Sequence, residues 1–229
     1  GKDYMLHMEF KTTGLSGLFA PNYKEVDIEW RDKCRQHEKG FTFENQYSTL
    51  TYKESTDDDS DYLSQASAEE NEIMEEPLDW VAFKNQFFST ILISKDNFAA
   101  NASLTSIPQE KGTGYLKYYE AKLKTKFDPT GAQPTELEMY FGPNDYKTLK
   151  SYDMNYEKII PLGGWLVSWI SRFVIIPIFD FLGKFIKNYG LIILLLTLII
   201  KIVIMPLTIK SYKSSARMQV VKPEIDKIN

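Results

Sequence analysis

Residues 189–207, YGLIILLLTLIIKIVIMPL, are apolar on every side and carry one charge, Lys201. As a helix rising 1.5 Å per residue this run is roughly 28 Å long, close to the roughly 30 Å hydrocarbon core of a bilayer. A buried helix of a water-soluble core is rarely apolar all round for five turns, so the run predicts a transmembrane helix over residues 189–208. Beyond it stand Lys210, Lys213, Arg217 and Lys222, with acids only at Glu224 and Asp226. By the positive-inside rule that end is cytoplasmic. What precedes the span is then outside, and periplasmic in a cell with two membranes.

Charge divides the chain in the same place. Residues 1–160 carry a net charge of −10, and residues 161–229 carry +6. A basic part that also holds the only long apolar run points to a membrane partner rather than nucleic acid. The start at Gly1, with no initiator Met and no signal-peptide pattern, carries the expectation that further sequence precedes it.

Residues 1–158 read as an all-β sandwich domain. YMLHMEFKTTG, FTFENQYSTLTYK (with Phe41, Phe43, Tyr47 and Leu50) and GTGYLKYYEAKLKTKF alternate apolar and polar side chains, LDWVAFKNQFFSTILI is dense in β-formers, and ELEMYFGP ends in a Gly-Pro turn. Residues 54–79 break the pattern, with 11 acids in 26 positions and no Lys or Arg. They read as an acidic, mobile surface loop. NDYKTLKSYD predicts a short helix with Asn144 as its N-cap.

Residues 163–188 are mostly apolar but include Arg172, Asp180, Lys184 and Lys187 around Pro177. Burying Arg172 and Asp180 in hydrocarbon is expensive, so an interfacial amphipathic helix is expected, with Trp165 and Trp169 one turn apart at the headgroup level; a kinked hydrophobic span is the alternative. Residues 209–229 read as the start of a cytoplasmic helical region that Pro223 breaks or redirects, and Pro206 is expected to kink or end the span.

Catalytic chemistry finds no foothold. Cys34 is the single cysteine and sits in a polar stretch, which favours a free structural thiol. His7 and His37 lack any metal-ligand spacing, and there is neither a phosphate-binding glycine loop nor a GxSxG elbow. No catalytic residue, metal or cofactor is expected.

Lys201 is the anomaly. It lies about 16 Å beyond Gly190, near the midplane, where an ammonium costs roughly 2.5–3.5 kcal/mol. A stem of about 6 Å cannot snorkel the remaining distance of roughly 15 Å. Such a charge faces a watery cavity or a polar partner. A single-pass anchor has no reason to keep it.

Lys201 is followed by Pro206-Leu207-Thr208, Tyr212, Ser214, Ala216, Met218 and Pro223. In order and spacing this resembles the first conserved span and cytoplasmic segment of YidC-type membrane protein insertases (the YidC/Oxa family). DWVAFKNQFF and YFGP resemble the end of the periplasmic domain of Gram-negative members, and the resemblance covers most of residues 79–229. It implies a β-supersandwich periplasmic domain and a hydrophilic groove among five conserved spans. There a basic side chain contacts the client, the role that falls to Lys201. Where the family more often has Arg, Lys keeps the charge but loses the bidentate fork. The implied partners are nascent membrane proteins and the bilayer, with the secretion translocon and ribosome beside them. A single-pass receptor or carbohydrate-binding β-sandwich is the alternative, and it leaves Lys201 unexplained.

Overall fold

A computed structural model describes residues 3–15, 17–20, 22–63 and 68–225, with side chains described there except at Trp165, Leu166, Leu207 and residues 219–225. The chain falls into two units, Gly1–Pro161 and Leu162–Asn229. In the first, ten strands follow in chain order among the described residues: β1 (Met5–Phe10), β2 (Glu25–Arg35), β3 (Thr49–Glu54), β4 (Asp61–Tyr62), β5 (Glu70–Ile73), β6 (Leu78–Lys84), β7 (Phe88–Phe98), β8 (Ser103–Pro108), β9 (Tyr115–Lys126) and β10 (Thr135–Pro143). They pair antiparallel into a six-stranded sheet, β1-β10-β7-β6-β3-β4, and a four-stranded sheet, β2-β9-β8-β5.

The two sheets differ in how many faces they bury, and the sequence differs accordingly. In β9, Tyr119, Ala121, Leu123 and Thr125 are buried while Lys122, Lys124 and Lys126 are exposed, the alternation of a strand with one wet face. In β6, Trp80, Val81, Ala82 and Phe83 are all buried. Val81 and Phe83 join the core between the sheets with Leu50, Leu92, Leu104, Tyr119 and Leu123. Trp30 on β2 stacks on Phe83 with ring centroids 3.7 Å apart. Trp80 and Ala82 point the other way, into a second core with Ile91, Ile93 and Tyr140.

That second core is closed by the end of the unit. Helix α2 (Tyr146–Lys150) supplies Leu149, and a 3₁₀ turn (Tyr156–Ile159) supplies Tyr156 and Ile159. Trp80 Nε1 donates to the Met154 carbonyl at 3.0 Å, so this large indole is buried without an orphan donor. Asp145, not Asn144, caps α2: its Oδ2 accepts from the Thr148 backbone N–H at 2.9 Å. The Asn144 side chain is engaged elsewhere, accepting from Ser89 Oγ and donating to the Asn85 carbonyl.

Two further expectations are corrected here. Residues Phe41–Tyr47, expected as a strand, form helix α1. Glu44 is fully buried, and its carboxylate accepts from the backbone N–H groups of His37 and Glu38 at 3.0 and 2.9 Å. That anchoring, together with Phe41 packed on the core, outweighs an alternation that a strand would also satisfy; Phe43 is left exposed. Residues 54–79, expected as a loop, contain β4 and β5, one edge strand of each sheet, and bury Leu63 and Met74 in the main core. Asp61 and Glu72 on these edge strands are exposed to water at little cost, so the charge density did not exclude pairing. Residues 64–67 lie outside the described residues.

The second unit is helical. Helix α3 (Trp165–Ile170) runs through a π turn (Ser171–Ile175) into α4 (Ile176–Phe185). The Ile176 N–H reaches Ser171 O, five residues back, immediately before Pro177. A proline ring collides with the carbonyl four residues earlier, here Phe173, and the wider turn opens that side of the helix. Helix α5 (Tyr189–Ile225) follows and is continuous over 37 residues. Asn188 Oδ1 starts it, accepting from the backbone of Gly190 at 2.9 Å. The expected end at Pro206 and break at Pro223 are corrected: the helix continues through both. Each proline removes one donor from a helix of some ten turns, which the neighbouring bonds tolerate. The Pro223 side chain, like those of Leu207 and Trp165, lies outside the described residues.

Candidate functional site

On α5 the stretch Tyr189–Pro206 has a mean hydropathy of 2.5, and 6% of it is buried within the chain. Its N-terminal end packs on α4, where Phe179 and Tyr189 stack at 6.2 Å and Ile192 is fully buried. By length and composition this helix crosses a membrane.

Lys201 is exposed and, among the described residues, has no ion pair or hydrogen bond. It lines a shallow concavity with Ile204, Met205, Thr208, Ile209 and Tyr212. At 3.6 residues per turn, Thr197, Lys201, Thr208 and Tyr212 fall within about 60° of one another, forming one polar stripe on an apolar cylinder. The two threonines are already satisfied: Thr197 Oγ1 donates to Ile193 O at 2.8 Å and Thr208 Oγ1 to Ile204 O at 3.0 Å. Lys201 has no comparable bond: among the described residues nothing in its own helix accepts from its ammonium. Lys201 therefore needs water, an acid or a polar surface beyond this chain.

The residues singled out from sequence do not all gather here. Thr208 and Tyr212 join Lys201 on the stripe, and Pro206 lies in the same helix. Met218 is exposed farther along. Trp169 belongs to α3, is 55% exposed, and packs its ring 5.6 Å from Phe173. Thr197 was missed, although its spacing of four residues from Lys201 was legible.

Among its described residues the β unit offers no competing site. Cys34 is buried and reduced, and burial pushes its thiol up to about 11, the opposite of an activated nucleophile. Among the described residues no group of three or more His, Cys, Asp or Glu side chains converges on a metal position. His7 Nδ1 sits 2.8 Å from Glu138, an exposed surface pair. Two buried lysines have structural partners: Lys53 pairs with Asp79 at 2.6 Å, and Lys84 donates to Tyr47 O at 2.9 Å.

A two-sheet antiparallel domain joined to a membrane-length helix with a lone internal charge defines a membrane-anchored β protein, not an isolated soluble module. Two family models cover almost the whole chain, the YidC periplasmic domain over residues 1–177 and the 60Kd inner membrane protein over residues 181–229. The chain is 44% identical over 99% of its length to the membrane protein insertase YidC of Phocaeicola vulgatus and to that of Bacteroides fragilis. To that of Porphyromonas gingivalis it is 37% identical, again over 99% of its length. The chain belongs to the YidC family of inner membrane proteins. It spans 37% of the length of these relatives.

Proposed function

We propose that this chain is the periplasmic domain and first conserved span of a membrane protein insertase, and that Lys201 contacts the polar part of a client while it crosses. The observation that carries this reading is an unpaired ammonium near the middle of a membrane-length helix, on the same side as Thr197, Thr208 and Tyr212. A hydrated, positively charged surface at that depth shortens the low-dielectric path a polar segment must traverse and attracts acidic residues. The client's apolar span then partitions into lipid without a motor. The remaining helices of the groove belong to the longer protein.

The positive charges at Lys210, Lys213 and Arg217 support an orientation with the C-terminal end of α5 in the cytoplasm and the acidic β domain in the periplasm. Residues 163–188 lie along the outer interface. The secretion translocon and the ribosome are the natural neighbours of such a device, on the two sides that the client must pass.

The test uses the full-length protein with a photo-crosslinking residue at position 201 or 203 and ribosomes stalled on a short single-span client. Val203 is two residues away, hence at almost the same depth, but turned about 200° around the helix. Client adducts from 201 and none from 203 are expected. Equal labelling from both, or adducts only to other helices of the protein, would remove the groove role from Lys201 and favour a structural charge pair.

A further inference from the structure

Residues 162–188 contain a polar cluster that the client reading leaves unused. Ser168, Ser171 and Arg172 stand at i, i+3 and i+4, hence on one side of the helix, with Trp169 beside them. Among the described residues none of the three side chains has a hydrogen bond or ion pair, and Arg172 Nε is shielded from solvent and still unpartnered. An orphan guanidinium donor is costly, and a guanidinium matches the geometry of a phosphate. The π turn begins at Ser171 and so fixes two of the three residues within it.

The surroundings say what such a cluster meets. Val167, Trp169, Phe173, Phe181 and Phe185 are all more than half exposed, a surface unsuited to water. Only residues 186–188 separate α4 from the membrane-length α5, and the Phe179–Tyr189 stack holds the two helices together at that end. A helix tethered this closely to a span, with an aromatic surface, lies in the headgroup layer, where the anion in reach is the lipid phosphodiester.

We propose that Ser168, Ser171 and Arg172 form a binding site for the phosphodiester of a membrane phospholipid, with the guanidinium pairing the charge and the two hydroxyls donating to the remaining oxygens. The site fixes the rotation and depth of the 165–185 helix, and it rests on the interfacial placement above but not on Lys201. Native mass spectrometry of the full-length protein, titrated with phosphatidylglycerol micelles, tests it. The unsubstituted protein should retain one tightly held phospholipid more than Arg172→Gln, with the Ser168→Ala/Ser171→Ala variant severalfold weaker and Arg172→Lys intermediate. Excess inorganic phosphate should not displace the lipid. Circular dichroism must show unchanged helix content, and client crosslinking from position 201 should persist in Arg172→Gln, which separates this site from the client contact. Equal lipid retention in Arg172→Gln would overturn the proposal, as would displacement by inorganic phosphate, which would make the cluster a general anion site.

Discussion

The two units place their apolar side chains in opposite ways. In Gly1–Pro161, Trp80, Phe98, Tyr119, Tyr140 and Tyr156 are essentially inaccessible, spread over two cores on the two faces of one sheet. In Leu162–Asn229 only Ile192 is buried among the described residues, and side chains such as Val203, Leu194 and Phe185 are more than half exposed. The first unit obtains its stability from its own interior, at roughly 1.5–3 kcal/mol for each large apolar side chain removed from water. Among the described residues the second buries little of its own apolar surface, and such side chains call for an apolar solvent outside the unit, lipid or other helices.

If that contrast is right, truncations should cost very different amounts in the two units. Trp80→Ala removes the centre of the outer core and leaves Met154 O without its donor. A loss of about 3–5 kcal/mol is expected in denaturant unfolding followed by circular dichroism. Less than about 1 kcal/mol would mean that the end of the unit is not packed as described. Gly142→Ala should cost about 1–3 kcal/mol in the same assay, because a Cβ there meets the Tyr140 ring at 2.4 Å, and Tyr140 Oη is held by Pro143 O at 2.7 Å.

Proton linkage sharpens the comparison within the β unit. Burial pushes Lys84 down to about 8 from 10.5, so between these values the unfolded chain holds a proton the folded one has released, and stability rises with pH. Cys34, pushed up to about 11 from 9.0, acts in the reverse sense above pH 9, since the folded thiol keeps a proton the unfolded one loses. A rise of about 1 kcal/mol from pH 8 to 9 that levels off above is expected. Lys84→Met should abolish it, and a rise that survives the substitution would assign it to another group. The smallest effect is expected in the helical unit. Val203→Ala in a lipid nanodisc should change thermal stability by less than about 0.5 kcal/mol, because lipid replaces the lost contacts. A cost approaching that of Trp80→Ala would place this face against protein.

Much of the fold was legible, and where it was not the reason is specific. β6 and β7 showed as strands because Trp, Val, Phe and Ile cluster there, but only the topology explains why β6 is apolar on both sides. The helix Phe41–Tyr47 was hidden because FTFENQY satisfies a period of two, and the buried Glu44 carboxylate that anchors it bonds backbone groups upstream, outside any local pattern. Strands β4 and β5 were hidden because composition reports what a segment can bury, not what its backbone can pair with. Of the stripe, Lys201 was evident as a charge in an apolar run. Thr197 was legible by its spacing of four from Lys201, whereas Thr208 and Tyr212 fall on the same side because α5 continues past Pro206.

The partition of the molecule is written in local stretches of sequence. The apolar run, the switch from net acid to net base and the lone Lys201 are local properties, and a bilayer reads them directly through hydrophobicity and charge. Long-range packing and pairing settled which residues close the second core and which acidic strands finish the two sheets. Those outcomes depend on partners far apart in the chain. Pairing energy, side-chain anchoring and packing at such distances outweigh the local preferences that composition and periodicity record.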